Sequence, residues 1–496
     1  MKFLRTEPTI RLIMIAALRR FLPLLCLLLV FPAGQAGIQN LPNLGDEAAG
    51  VMSPYEERRI GEHIMRQVRR NLPLLDDPEI NDYIQALGRK LVAKSDAASF
   101  DFQFFIIEDP TINAFAFLGG YIGVHTGLIL AAQSESEVAA VLAHETAHIS
   151  QRHVMRMIAQ SKRSSKQMIA ALLAAILLAG AGEGQGAQAA IALGQAGVIQ
   201  KGINFTRSNE QEADRVGIQI LVDAGFDPRA MPSFFESLQS TGRINDTAMP
   251  EFLRTHPVTS RRIAESRTRA ETYDYRQVPD SPQFHRIRAK VRATASGNAR
   301  DIAKTFQHNL AEGKYRNLDA ERYGYAIALM RTKDYDAARK QISMLLRVQP
   351  NLVSYRILQA EIDMAAGRYT EALELYAAAN KQLSSNHALI RYYAAALLKS
   401  GHPKKAWALL KEAVKKQPDD PSLQKMLATA AGESGELFEA HQALANYYYL
   451  NGDPGAAIQQ LQIARKFAGD SFYLQSSVNA RIKKIQQELA ADDGRR

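Results

Sequence analysis

Residues 138–148 of the 496-residue chain read VAAVLAHETAH and contain the pattern His-Glu-x-x-His. The stretch predicts an α-helix, because Ala and Leu are frequent, Gly and Pro are absent, and apolar residues recur at helical spacing. On such a helix His144 and His148 stand one turn apart on the same face. Two neutral imidazoles in this position can bind one metal ion, and zinc is the ion that the pattern favours.

Glu145 directly follows the first of these histidines. Its carboxylate is placed to take a proton from the water that attacks a peptide bond, and not to bind the metal. A chance match on a buried helix is the alternative, since so short a pattern arises by accident in roughly one or two per cent of chains of this length. A catalytic zinc site needs a third protein ligand, which the rest of the sequence must supply.

Two arrangements supply a third ligand in known zinc sites. In metzincins it is a His six residues after the second His, preceded by a Gly, but here Val154 and Gln151 occupy those positions. His153 comes five residues after His148, which turns it off the shared face of a continuous helix. We therefore expect His153 to be an exposed helical residue. The other arrangement takes a Glu from a separate helix.

The segment 208–215, SNEQEADR, fits that second arrangement. Glu210 and Asp214 stand at positions i and i+4, so they share a helical face. Glu210 is the predicted third ligand. Asp214 would accept a hydrogen bond from a ligating histidine or act on the leaving group of the substrate. Taken alone, Glu-x-x-x-Asp is usually a solvated helix face, and it becomes informative only beside His-Glu-x-x-His.

Further motifs extend the pattern on both sides of these helices. They are NAFA at 113–116, GG at 119–120, TGL at 126–128, THP at 255–257, and Arg262. The whole set resembles the family of zinc peptidases that includes the CAAX-processing and HtpX-type membrane proteases. The resemblance implies a gluzincin-like α+β metallopeptidase domain, mainly helical with a small β-sheet. One Zn²⁺ per chain would be held by His144, His148 and Glu210.

The same resemblance implies that Glu145, Asp214 and His256 are the catalytic residues. Glu145 would activate water. His256 would stabilise the oxyanion of the tetrahedral intermediate, or would occupy the open position of the zinc ion and hold the enzyme inactive. Arg262 would anchor the helix that follows or bind a nearby carboxylate. The residue types do not choose among these roles.

Residues 1–36 predict a cleavable secretory signal peptide. Arg19 and Arg20 precede an apolar run at 21–31 that is too short to span a membrane, and cleavage is expected after Ala36. The alternative is an uncleaved anchor at 10–33, which the two central arginines oppose. Together with the resemblance, the signal predicts a periplasmic protein. Cys26 is the single cysteine and would be removed with the leader.

The segments before the His-Glu-x-x-His helix predict two helices and two strands. Helices are expected at 54–70 and 78–94, both polar enough to lie on the outside of a domain, and strands at 100–108 and 121–125. We interpret the connection at 113–120 as a sheet edge on which a peptide substrate adds as a further strand. An ordinary core hairpin is the alternative.

Residues 161–203 combine an apolar run at 168–182 with a Gly-, Ala- and Gln-rich stretch at 184–202. Fifteen apolar residues are few for a membrane span. The composition therefore favours a helical hairpin that is soluble or contacts a membrane surface over a transmembrane segment.

A repeat follows in the second half of the chain. Four alanines recur at intervals of 34 residues, each five residues after a turn position: Ala338, Ala372, Ala406 and Ala440 follow Lys333, Gly367, Gly401 and Gly435. This period is typical of tetratricopeptide repeats, whose superhelix offers a concave surface to a partner. An irregular helical bundle is the alternative. We predict a peptidase domain at 37–275, a linker at 276–310 and a repeat domain at 311–490.

The formal net charge of +10 is mild for a long chain, and basic and aromatic residues are not interleaved as in nucleic-acid-binding modules, so we expect no nucleic acid. The resemblance implies unfolded or stalled outer-membrane β-barrel proteins as substrates. Its implied partner is the barrel-assembly machinery, bound through the repeats, and a chaperone role can accompany cleavage. Two alternatives remain: a repeat scaffold or chaperone with a non-catalytic metal site, and a membrane-embedded protease of the HtpX type.

Overall fold

The structure is a computed structural model that describes residues 52–97, 100–160, 165–180, 207–244 and 250–493. The predicted leader with Cys26, and the Gly-rich stretch at 184–202, lie outside these residues. The described chain is mainly helical with one small sheet, as the sequence predicted.

Two capped helices open the described chain, α1 (Pro54–Asn71) and α2 (Pro78–Val92). Each begins with a Pro behind a capping side chain, which is why their starts could be predicted. The expectation that both lie on the outside is wrong for one face of each helix, because Ile64 of α1 and Ile80 and Ile84 of α2 are fully buried. The apolar residues of α2 recur at helical spacing, so one face enters the core although many polar residues occupy the other.

A three-stranded sheet follows, formed by β1 (Gln103–Ile107), β2 (Ala114–Phe117) and β3 (Tyr121–His125). The order is β1-β3-β2, with β3 parallel to β1 and antiparallel to β2. The predicted connection at 113–120 therefore contains a strand of its own, and β2 is an edge strand. Gly119 and Gly120 turn the chain from β2 into β3 with φ of 83° and 85°, a region that favours glycine.

Helices surround the sheet in the rest of the first half. Their bounds are α3 (Thr126–Ala131), α4 (Glu135–Ser150), α5 (His153–Gln160), α6 (Ser165–Gly180), α7 (Arg207–Asp223), α8 (Ala230–Ile244), α9 (Glu251–Thr255) and α10 (Ser260–Glu271). The helix with His-Glu-x-x-His is α4, and every one of its residues from Ser136 to Ile149 is buried. It lies at the centre of the core, with α7 packed along it.

Residues 168–180 of the apolar run lie in α6, whose Leu172 and Ile176 are buried in a cluster with Ile64 and Val68 of α1. The described part of the chain holds no helix that combines the length and apolarity of a membrane span.

The second half of the described chain consists of helix pairs. Their bounds are α11 (Pro282–Thr294), α12 (Ala299–Glu312), α13 (Leu318–Arg331), α14 (Tyr335–Val348), α15 (Val353–Ala365), α16 (Tyr369–Gln382), α17 (His387–Lys399), α18 (Pro403–Lys416), α19 (Pro421–Glu433), α20 (Leu437–Leu450), α21 (Pro454–Lys466) and α22 (Phe472–Asp493). The predicted period is confirmed, because the second helix of four successive pairs begins at residues 335, 369, 403 and 437. The four predicted alanines are buried at the same place in each.

The segment predicted as a linker, 276–310, contains α11 and most of α12. Pro282 lies inside this segment, but it is the first residue of α11, behind the capping side chain of Ser281. One face of α11 places Phe284 and Ile287 in the core of the peptidase half. Ala289 of the same helix packs in the first core of the repeats. The two halves of the described chain therefore share α11.

Candidate active site

Four buried side chains from three helical segments converge beside the sheet. His144 and His148 lie on α4, and Glu210 lies in the first turn of α7. His256 is the C-terminal cap of α9 and directly follows Thr255. One potential ligand atom of each lies within 4.8 Å of those of the others. The sequence predicted the first three as ligands, and His256 as a residue that stabilises the oxyanion or occupies the open position of the metal.

The spacing of these atoms can be tested against the geometry of a metal site. Tetrahedral zinc with Zn–N bonds of about 2.0–2.1 Å separates its ligand atoms by about 3.4 Å. Nε2 of His144 lies 3.0 Å from Nε2 of His148 and 3.6 Å from Oε2 of Glu210. Nδ1 of His256 lies 3.4 Å from Nε2 of His144. Three imidazoles and a carboxylate at these distances fit an ion of the size and preference of zinc.

An arginine holds the carboxylates of α7 in place. Arg262 of α10 donates from Nε and Nη2 to the two oxygens of Asp214, each at 2.8 Å. Its Nη1 lies 2.8 Å from Oε2 of Glu210. Oδ1 of Asp214 in turn lies 3.0 Å from Nδ1 of His144, the ring nitrogen that faces away from the cluster. Asp214 thus contacts a predicted ligand, as one of the two interpretations of its role requires, and Arg262 binds both acidic residues.

These contacts shift the titration of the acidic groups strongly. Burial alone would raise the pKa of Glu210, but His256, His144 and Arg262 hold that pKa well below its ordinary value. The pKa of Asp214 is lowered in the same way, since Arg262 and His144 outweigh its burial. Both residues are therefore carboxylates at neutral pH, the form that binds a cation or a histidine N–H.

Glu145 lies beside the cluster without joining it, and its side chain is fully buried. Burial raises the pKa of Glu145, with partial compensation from His256, His144 and the backbone N–H of Ala116 in β2. Its Oε1 lies 3.5 Å from Nε2 of His256. A carboxylate with a raised pKa is suited to accept and return a proton. The edge strand β2 passes directly beside it.

The expectation that His153 is exposed is wrong, because its side chain is fully buried beside the cluster. Its Nδ1 lies 2.8 Å from Nδ1 of His148, and its Nε2 lies 3.2 Å from Oε2 of Glu212. The expectation assumed one continuous helix. Instead α4 ends at Ser150, and Arg152 adopts a left-handed φ of 52° before α5 begins at His153.

The left-handed turn redirects His153 back onto α4. Neither a Gly nor a Pro nor an Asn marks the break, so the sequence carries none of the usual signals of a helix end. Arg152 also lies 3.4 Å from the buried carboxylate of Glu57 on α1. That tertiary contact, which local sequence does not reveal, accompanies the unusual backbone.

The fold and the His-Glu-x-x-His pattern on α4 together define the class of protein as a metallopeptidase. The profile of peptidase family M48 matches residues 78–270, and a tetratricopeptide repeat profile matches residues 363–430. The chain is a metalloendopeptidase followed by helical repeats.

Three relatives extend this assignment. The β-barrel assembly-enhancing protease of Escherichia coli (strain K12) is 34% identical over 458 residues, which cover 92% of this chain and 93% of that protein. The putative β-barrel assembly-enhancing protease of Vibrio cholerae is 36% identical over 471 residues, 93% of this chain and 96% of that protein. The mitochondrial metalloendopeptidase OMA1 of Schizosaccharomyces pombe is 30% identical over 199 residues, 39% of this chain and 56% of that protein. The chain belongs to the family of β-barrel assembly-enhancing proteases.

Proposed function

We propose that this protein is a periplasmic zinc endopeptidase that degrades misassembled outer-membrane β-barrel proteins and supports their assembly. The observation that carries the proposal is the cluster of His144, His148, Glu210 and His256 beside the buried carboxylate of Glu145. The names of two relatives that match more than nine tenths of this chain link it to β-barrel assembly, and the predicted signal peptide supports the location.

In this proposal His144, His148 and Glu210 hold the metal. A zinc ion held by these residues would supply Lewis-acid chemistry, lowering the pKa of a water molecule and polarising the scissile carbonyl. Glu145 takes the proton from the attacking water and passes it to the leaving amine. Asp214 keeps the ring of His144 in the orientation that a ligand needs, and Arg262 holds Asp214.

The substrate would bind along β2. This strand pairs with β3 on one side and, within the described residues, with no strand on the other side, where its Ala116 backbone N–H points to Glu145. A peptide that adds as a strand on this side places its own carbonyl groups next to the proposed base. Main-chain recognition of this kind suits an enzyme for unfolded chains, since it depends little on side-chain sequence.

His256 supplies a fourth donor in the proposed resting state. Its Nδ1 faces the cluster, its Nε2 faces Glu145, and its ring stacks on Phe252 with centroids 4.8 Å apart. A catalytic zinc site keeps one position open for water or substrate, whereas a closed set of four protein ligands is typical of structural zinc. We infer that His256 must leave the cluster before cleavage, which corresponds to the inactive role among those that the sequence left open.

The repeats would recruit a partner or substrate, with the barrel-assembly machinery as the proposed partner. A non-catalytic scaffold or chaperone is the competing function, and a closed set of four donors is what it would use. The position of Glu145 favours the peptidase, because a structural metal site has no use for a buried carboxylate beside its ligands.

The test compares wild type with Glu145→Gln and Glu210→Ala for zinc content and for cleavage of an unfolded outer-membrane barrel protein. We expect about one zinc per chain in wild type and in Glu145→Gln. Cleavage should fall by about 10²–10⁴-fold in Glu145→Gln, since the proposed base is lost. Glu210→Ala should lose both metal and cleavage. Unchanged cleavage in Glu145→Gln would refute the mechanism, and a protein without metal would leave the scaffold as the better account.

A further inference from the structure

A chain of hydrogen-bonded side chains leads from the buried second histidine of α4 to the partly exposed Glu212. Nδ1 of His148 lies 2.8 Å from Nδ1 of His153, whose ring stands edge-on at 4.8 Å between centroids. Nε2 of His153 lies 3.2 Å from Oε2 of Glu212. Arg156 of α5 donates to the same oxygen at 2.7 Å.

The direction of the hydrogen bonds follows from the side of His148 that faces the cluster. Its Nε2 lies 3.0 Å from Nε2 of His144 and 3.5 Å from Oε1 of Glu210. A ligating nitrogen must offer a lone pair, so the ring proton of His148 is on Nδ1 and is donated to Nδ1 of His153. The proton of His153 is then on Nε2, from which it is donated to Glu212.

We propose that His153 is a positioning residue for the metal: it fixes the tautomer and the ring orientation of His148, and Glu212 with Arg156 fixes His153 in turn. This inference rests on the proposed zinc site. It assigns to a residue outside the His-Glu-x-x-His pattern a defined share of the affinity for zinc.

The arrangement parallels the support of the first histidine. His144 lies against Asp214, and Asp214 is held by Arg262. Both supporting carboxylates come from α7 and are only two residues apart. Side chains two residues apart on an α-helix are rotated by about 200° around its axis, so these two cannot both face α4 in the same way. Asp214 reaches its histidine directly. By contrast, the ring of His153 lies between Glu212 and His148 and connects them by hydrogen bonds.

The backbone conformation at Arg152 allows His153 to reach His148. Arg152 is one of two non-glycine residues with positive φ in the described part of the chain, and it directly precedes His153. A left-handed conformation at such a residue is strained and persists where surrounding contacts hold it. Continuation of α4 through residue 153 would turn His153 away from His148.

Two substitutions of His153 separate a positioning role from a structural one. Leu fills the volume without an acceptor, whereas the side-chain oxygen of Asn takes the place of Nδ1 and still accepts the proton of His148. The affinity for Zn²⁺ is measured by competition with a chromophoric chelator at pH 7.5, and the unfolding temperature is measured on the metal-free proteins. Loss of a supporting hydrogen bond typically weakens metal binding about 10- to 100-fold. We expect a loss of this size in His153→Leu and recovery of most of it in His153→Asn.

Val154→Ala is the matched control. Val154 is the next residue of α5 and is buried in the apolar cluster that includes Ile64 and Val68 of α1. This variant should lower the unfolding temperature and leave the zinc affinity unchanged. If the affinity in His153→Leu is that of wild type, if Asn fails to recover it, or if Val154→Ala weakens zinc binding as much, the inference is overturned. A wild type that binds no zinc refutes the proposed function instead, so the two failures differ.

Glu212→Ala provides a second route if His153→Leu does not fold. Glu212 is partly exposed, with 28% of its side chain accessible, so its replacement is tolerated more easily. We expect about tenfold weaker zinc binding, because His153 loses the acceptor that orients it. Glu212→Gln keeps an acceptor oxygen and should remain close to wild type. Equal affinities in all three proteins would overturn the inference.

Discussion

Gly217 of α7 lies directly against the backbone of His144 in α4. A Cβ atom at position 217 would lie 3.2 Å from both the backbone N and the Cα of His144. The absence of a side chain therefore lets the two helices approach closely, and Glu210 stands about two turns before this contact on α7. The distance between the proposed ligands on α4 and the proposed ligand on α7 depends on this glycine.

Gly217→Ala should push α7 away from α4. We expect a free energy of unfolding lower by about 1–3 kcal/mol, as for an overpacked core, and weaker zinc binding as Glu210 moves. Urea unfolding and chelator competition measure the two effects. Gly455→Ala is the control, since its nearest neighbour would be 3.6 Å away and alanine is favoured in helices. Wild-type zinc affinity in Gly217→Ala would contradict the role given to this contact.

Arg262→Ala should be severely destabilising. Arg262 is 3% exposed and binds Asp214 and Glu210, so its removal leaves two buried carboxylates without their cation. The loss of one partner of a buried ion pair costs about 3–5 kcal/mol, which urea unfolding of the metal-free protein would show. Arg267 pairs with Glu236 on the surface, and Arg267→Ala should change stability by less than about 1 kcal/mol. Similar losses in both variants would be evidence against this account.

His256→Ala should increase cleavage of a short unstructured peptide if His256 closes the proposed site. Zinc content should stay at about one per chain, because three ligands remain. Phe252→Leu serves as a control for the loss of the stacked ring, since it leaves the imidazole in place. A fall in the rate of cleavage with zinc retained would instead assign His256 the role of stabilising the oxyanion.

Gly452→Ala should loosen the contact between the repeats and α1. A Cβ at position 452 would lie 2.9 Å from the backbone oxygen of Arg66, and Arg69 donates to the backbone oxygen of Leu450 beside it. Gly435→Ala is a matched control, because Gly435 also has a positive φ, 87° against 76°, but has open space around it. Both variants bear left-handed strain of about 1–2 kcal/mol. Only Gly452→Ala should lose more free energy of unfolding in urea than this strain explains. A protease added to the folded protein should also cleave this variant faster than wild type near residue 450.

His387 predicts a pH dependence of stability. Its Nδ1 lies 2.8 Å from Oδ1 of Asp82 in α2 and its Nε2 lies 3.1 Å from Oδ2 of Asp420, the N-terminal cap of α19, so it bridges the two halves of the described chain. Burial would lower the pKa of His387, but the two carboxylates raise it to about 9. A pKa raised in the folded state stabilises the protein below the unfolded pKa of about 6.5, and this stabilisation disappears as pH rises through the folded pKa.

His387→Gln should therefore cost more stability at pH 6 than at pH 9.5. After allowance for solvent screening we expect a difference of about 1–2 kcal/mol at pH 6, measured by urea unfolding of both proteins. The difference in free energy of unfolding between wild type and His387→Gln should decrease as pH rises through the pKa of about 9 in the folded protein. A gap that does not change between the two pH values would show that the charge of His387 contributes nothing.

The parts of the site that sequence predicted are those set by helical periodicity. Positions i and i+4 place His144 with His148 and Glu210 with Asp214 regardless of the rest of the fold. His153 was missed because its place depends on the left-handed turn at Arg152, for which the sequence has no signal. The catalytic and ligand roles of these residues remain predictions.

The same contrast holds for the fold. The repeat period could be read from single alanines, because each helix pair repeats the same local packing. The burial of α2 and the packing of α11 depend on which elements meet in space. Pro282 marks a helix start as readily as a domain boundary, and only tertiary structure distinguishes the two.

The shared helix α11 limits where the protein can be truncated without loss of the peptidase core. Glu135 in the first turn of α4 accepts hydrogen bonds from the backbone N–H and the hydroxyl of Ser281, the cap of α11. Its own backbone N–H donates to Asp280. A truncated protein that ends at residue 275 would lose these partners and leave the core without Phe284 and Ile287. We therefore expect the minimal protease fragment to extend through residue 294, the end of α11.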